Sequence, residues 1–203
     1  AHGALAGAAN SVGILLLFVA YSRGSLRTAA PTAAVVMSSV PVLWDLLVSG
    51  ASPSTVTSIG LALGVVAIAL LSYERGDPGD GSAGLFVAGL AGVVFGIMLI
   101  LLSYIGDDAG GSPLLLQRVV AFLIAISVTR ATGPRLFPRE RSAFISSFVA
   151  GIFAIAAVVL FVLALRGGSL AVVSVVSSQY AAVAVLLGVA IRGQKMWWWQ
   201  ALG

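Results

Sequence analysis

This chain has no cysteine, a single histidine and only seven acidic residues, and each shortage removes a class of chemistry. Without cysteine there can be no disulfide, thiolate metal site or thiol nucleophile. His2 stands alone beside the chain's first residue, so no histidine cluster is expected and no metal or cofactor site is assigned. Charge is scarce as well. Only 9% of the 203 residues are charged, against about a quarter in soluble domains, which excludes a water-soluble fold. Hydrophobic residues make up 60% of the chain and the mean hydropathy is +1.10. The 24 glycines suit helices that approach closely in lipid. A pI near 10.1 raises nucleic acid as a partner. The basic residues are scattered among loops, however, which suits membrane orientation better than a phosphate-binding face, so no nucleic acid is expected. No cleavable signal peptide is visible. The chain opens on Ala1-His2 and stops at Gly203 within an apolar run, so it is expected to be an internal piece of a longer protein.

A helix needs about 20 mostly apolar residues to cross about 30 Å of hydrocarbon. Seven segments meet that test, at 3–21, 28–49, 55–73, 83–104, 113–130, 143–165 and 169–191, and an eighth begins near Met196. Turn chemistry links them: "SGASPS" at 49–54, "ERGDPGDG" at 74–81, "GDDAGGSP" at 106–113 and "ATGPRLFPRER" at 131–141. Lipid offers no partners to exposed backbone, so the runs must be helices or a closed barrel. They are continuously apolar, where barrel strands would alternate over about ten residues. The expected fold is an all-α, polytopic membrane helix bundle.

The chain also repeats itself. "SRGSLR" at 22–27 and "RGGSL" at 166–170 each follow one uncharged helix-length run and precede another. At an offset of 144, Gly7 falls against Gly151, Asn10 against Ala154, Gly24-Ser25-Leu26 against Gly168-Ser169-Leu170, and Pro31 against Val175. With one residue of slippage, "TSIG" at 57–60 meets "QALG" at 200–203. Segments one to three thus match six to eight, and a five-helix unit fits if segments four and five open the second copy. The parent would have ten helices, with 1–76 closing the first repeat and 83–203 forming the second. An odd-numbered unit places its copies in opposite orientations, the inverted-repeat logic of alternating access.

Whole phrases resemble the EamA-type transporters of the drug/metabolite transporter superfamily. "GSLAVVSVVSSQYAAVAVLLG" at 168–188 is similar to that family's ninth helix, and "GLAGVVFGIMLILLSYIGDDAG" at 89–110 to its sixth helix and following loop. "SPLLLQRVVAFLIA" at 112–125 resembles the seventh, with the family's frequent Arg at Arg118. The family's small-Pro pair in the ninth helix is Ser174-Val175 here, and its Tyr-Pro is Tyr180-Ala181. The resemblance implies inverted five-helix repeats, no enzyme activity, a plasma-membrane location and secondary transport of small organic metabolites or drug-like solutes. Proton coupling and solute exchange are both open.

Polar groups within spans are costly unless they face protein or water, so each is a candidate to line a pathway. Ser174, Ser177 and Ser178 stand at i, i+3 and i+4 on one helical face, with Gln179 and Tyr180 one step round. Thr28, Thr32 and Ser39 form a weaker stripe on the second segment, and Asn10 sits in mid-helix on the first. The bland alternative is that serines bond back to their own helix, and that Asn10 joins helices. Arg118 is the one basic residue well inside a span. It suits an anionic substrate group, a pairing with Asp45 or with a carboxylate on a missing helix, or snorkelling to the headgroups. Asp45, the one acid in a span, lies near its helix end, which points to an interfacial or structural role, with coupling the alternative. Gly3/Gly7, Gly60/Gly64 and Gly92/Gly96 have the spacing of close helix packing. Trp197-Trp198-Trp199 beside Lys195 reads as an interfacial belt.

Loops alternate sides. One side collects Arg23, Arg27, Arg75, Arg130, Arg135, Arg139, Arg141, Arg192 and Lys195, the other only Arg166. The charge rule makes the basic side cytoplasmic, whereas the family's ten-helix arrangement implies the reverse; the charge bias carries more weight. Two other functions compete with a solute transporter. A lipid or lipid-linked sugar flippase on the same scaffold would show a lateral opening toward lipid. An intramembrane enzyme needs clustered histidines, acids or metal ligands in its spans, which this chain lacks.

Overall fold

A computed structural model describes residues 1–23, 26–48, 50, 55–56, 58–60, 63, 81–106, 109–133, 140–178, 180 and 183. Among these it is all-helical, with α1 (His2–Arg23), α2 (Leu26–Val48), α3 (Gly81–Ser103), α4 (Ser112–Thr132), α5 (Arg141–Leu165) and α6 (Leu170–Ser178). The first five are long and apolar enough to cross a membrane. Their bounds lie close to the expected segments. Most of the third segment, the far part of the seventh, the eighth, and Gln179 lie outside the described residues.

Glycine decides which helices touch. On α1, Gly3 faces the Pro113 carbonyl, Gly7 faces the Gln117 carbonyl, and Ser11 donates a hydrogen bond to the Ala121 carbonyl at 3.3 Å. Steps of four on both helices make α1 and α4 parallel, with their backbones in direct contact along a stripe of small residues. The same device joins α3 to α2. A Cβ on Gly92 would lie 2.6 Å from the Ala33 carbonyl, and one on Gly96 would lie 2.5 Å from Val40 Cβ. The expected packing role of these two glycine pairs is what the coordinates show.

Between these pairs, α1 and α3 run in opposite directions. At one end the His2 and Tyr104 rings stack with centroids 5.7 Å apart. Midway, Gly13 lies against Phe95, and at the far end Ala20 and Ala29 cluster with Val87 and Ala88. α6 lies along α2 and begins where α2 ends. The main core joins Met37, Met98, Leu99, Leu102, Phe161, Leu170 and Val173, at the end of the bundle where α2, α3 and α5 finish. This layout puts Arg23, Arg130 and Arg141 at one end of the bundle and Arg166 at the other.

Chain breaks follow local chemistry. Gly50, just past α2, has φ +63°, and Gly110, in the turn before α4, has φ +58°, a left-handed conformation that favours glycine. Pro113 stands in the first turn of α4, where a missing N–H costs nothing. α2 tolerates Pro31 and Pro41 in its interior. Pro41 offers no N–H to the Met37 carbonyl, and a Cβ on Gly96 of α3 would lie 3.1 Å from that carbonyl oxygen.

The outside of the bundle is greasy. Gln117 is the buried residue of α4 and Phe161 that of α5, whereas Phe144, Phe148, Phe153 and Leu160 of α5 are exposed. Leaving each large apolar side chain in water forgoes about 1.5–3 kcal/mol, so this one helix forfeits on the order of 10 kcal/mol unless lipid or protein covers it. If the α1–α4 contact sets the fold, Gly7→Leu should cost about 1–3 kcal/mol or prevent folding, by overpacking against backbone. Gly151→Leu on α5, with nothing within 4 Å of a new Cβ, should be neutral. Thermal unfolding in detergent compares the two, and equal midpoints would contradict the packing account.

Candidate functional site

The expected pathway residues divide between two helix pairs. Thr32 and Ser39 lie on α2 and Ser174, Ser177 and Ser178 on α6, which packs beside it; counted from the Asp45–Ala171 contact, Ser39 stands level with Ser177 and Ser178, and Thr32 about two turns further along α2. Asn10 and Arg118 lie on the α1–α4 pair. Tyr180 is helical and about half exposed, and Gln179 lies outside the described residues.

Most of the hydroxyls turn back to their own helices. Ser39 Oγ donates to the Val35 carbonyl at 2.8 Å, Ser174 Oγ to Ala171 at 2.9 Å, and Ser178 Oγ to Val175 at 2.7 Å. Such bonds satisfy a hydroxyl in an apolar setting and leave its lone pairs as acceptors. Ser174 and Thr32 are buried, while Ser177 and Ser178 are half-buried on the same face of α6. Ser177 makes no side-chain hydrogen bond among the described residues, nor does half-buried Asn10.

Arg118 does not meet Asp45. Its Nη2 donates to the Ala154 carbonyl at 2.6 Å, reaching from α4 to the middle of α5. In the register of the repeat, Ala154 is the partner of Asn10. Asp45 instead accepts the backbone N–H of Ala171 at Oδ2, at 2.9 Å. Ala171 belongs to the first turn of α6, whose N–H groups have no acceptors within the helix. Ser169, at the N-cap position, takes another of them, from Val172 at 3.4 Å. The two acceptors cap α6 together, one from its own chain neighbour and one from α2, with the carboxylate at the positive end of the helix dipole.

Two features went unassigned from sequence. Gln117 is wholly buried; its Nε2 reaches only the Met98 thioether at 3.9 Å, and its Oε1 has no partner. An amide five residues into a span, beside Arg118, was the available signal. The second is an apolar groove of about 460 Å³ between the last turns of α2 and α3. Leu43, Leu47, Ile97 and Leu101 line its walls, and His2, Trp44 and Tyr104 its rim. None of the expected pathway residues lines it. The His2–Tyr104 pairing that closes one side joins residues 102 positions apart and leaves no trace in sequence spacing.

An unsatisfied buried acceptor costs about 1–3 kcal/mol. Gln117→Leu, of similar volume, should therefore raise the thermal midpoint or leave it unchanged. A clear loss of stability on thermal unfolding in detergent would mean that Oε1 has a partner in the native protein.

No family model, curated protein or solved structure matches this chain.

Proposed function

We propose that this chain belongs to a secondary transporter of small organic metabolites or drug-like solutes, of the EamA type in the drug/metabolite superfamily. It works in the plasma membrane by rocking two inverted five-helix repeats around a cavity near the bilayer midplane. The observation that carries the reading is the pairing of α2 with α6. These are repeat mates, Leu26 against Leu170, and they lie side by side with the end of one at the start of the other. An inverted duplication calls for that arrangement, because a dyad in the membrane plane reverses the direction of each mate. The two helices carry Thr32, Ser39, Ser174, Ser177 and Ser178, small hydroxyl residues suited to a polar solute, with Ser39 level with Ser177 and Ser178. Arg118 supplies the positive charge for an anionic group, and proton coupling or solute exchange supplies the driving force.

A second reading is a lipid or lipid-linked sugar flippase on the same scaffold. The groove between α2 and α3 favours it. Its walls are apolar, Leu47 on them is 80% exposed, and its aromatic rim suits the level of lipid headgroups.

Vesicles carrying the protein, offered a panel of labelled metabolites with and without a proton gradient, should accumulate at least one solute above protein-free vesicles. Arg118→Ala should abolish uptake of the anionic members and spare the neutral ones. Unchanged anion uptake would remove Arg118 from the site. Movement of a labelled phospholipid between leaflets, with no solute uptake, would favour the flippase.

A further inference from the structure

The contact between Asp45 and α6 has a property that the repeat makes visible. Asp45 is the only acid in the membrane segments, and it reaches across from the first copy to the first turn of a helix in the second copy. At the offset of 144, its mate is Val189, and the mate of Ala171 is Arg27. Residues 141–203 contain no Asp or Glu to take its place in a neighbouring register. The two copies are alike in their helices and unlike in this one group.

We propose that Asp45 is a one-sided latch between the repeats, a deepening that rests on the alternating-access reading. The carboxylate holds the end of α2 against the start of α6 on the Arg166 face of the membrane. When the two helices part there, Ala171 loses its acceptor, and the half-buried carboxylate loses a backbone donor at the positive end of a helix dipole. On the Arg130 face the position in register with Asp45 is Val189, a side chain with no carboxylate to offer. The resting population is therefore biased toward closure on the Arg166 face and access from the Arg130 face. Ser169 keeps α6 capped in both states through its own hydroxyl, so opening costs the latch and not the helix.

The absence of cysteine makes the test direct, since a single introduced thiol reports alone. Ser177→Cys places that thiol on the half-buried face of α6, two turns in from the latch. It is probed with a membrane-impermeant, charged thiol reagent in sealed vesicles of each orientation. With Asp45 present, labelling should be faster from the Arg130 face. Asp45→Leu should speed labelling from the Arg166 face by about tenfold, the size expected of a hydrogen bond to a charged group. Asp45→Asn, which keeps an acceptor oxygen and the shape but not the charge, should fall between the two; it carries the test alone if the leucine variant does not fold. Rates from the Arg166 face that are the same in all three proteins would overturn the latch. Solute uptake, measured on the protein that keeps Ser177, separates this outcome from failure of the transport reading. Uptake with no change in labelling sinks the latch alone, and a labelling change in a protein that moves no solute sinks the carrier alone.

Discussion

Lipid tails are as apolar as leucine, so no hydrophobic force presses one membrane helix onto another. The fold depends instead on how closely backbones can approach. Gly3, Gly7 and Ser11 let α1 lie on α4, and Gly92 and Gly96 let α3 lie on α2. Both contacts bring glycine against a neighbouring carbonyl or Cβ, where any side chain would collide. With those two pairs set and α1 antiparallel to α3, the remaining helices have few places to go. α6 takes the open side of α2, and α5 touches the bundle chiefly near Phe161 at its end. The same economy explains the greasy exterior of α4 and α5. Interior positions go to small residues, and large side chains are left to face lipid or further protein.

Polar groups follow a second constraint. In a poor solvent for charge and hydroxyls, each must bring its own partner. The serines use the carbonyl three or four residues back, Arg118 uses the Ala154 carbonyl, and Asp45 uses the Ala171 N–H. Among the described residues, Gln117 keeps a fully buried oxygen with no partner, and half-buried Asn10 and Ser177 make no side-chain bond. In the proposed pathway Ser39, Ser174 and Ser178 have already spent their donors and keep lone pairs to accept with. Such a surface suits solutes that donate hydrogen bonds, with Arg118 the exception that attracts negative charge.

The helices were legible in the sequence because their signal is local. Continuous apolar runs between turn residues put α5 at 143–165, and it runs from Arg141 to Leu165. The packing role of the glycine pairs was legible for the same reason, since a spacing of four is a property of one helix. Their partners were not. Nothing in the spacing says that Gly7 meets Gln117 or that Gly92 meets Ala33, because those choices belong to the assembled bundle. Arg118 shows the limit most clearly. Its depth in the span marked it as needing a partner, but an acidic side chain was the natural guess, and a main-chain carbonyl, which every residue carries, leaves no mark in sequence. Asp45 was read correctly as a residue near a helix end, while the helix that it caps was out of reach of any local pattern.

The account stands on oppositely inserted copies of one unit, and the mates on either side of the duplication decide it. Ser22, at the end of α1, corresponds to Arg166, at the end of α5. Single cysteines at Ser22 and at neighbouring Gly167, probed from each side of a sealed membrane, should react from opposite faces. Reaction of both from the same face would contradict the inverted duplication and the transport mechanism built on it.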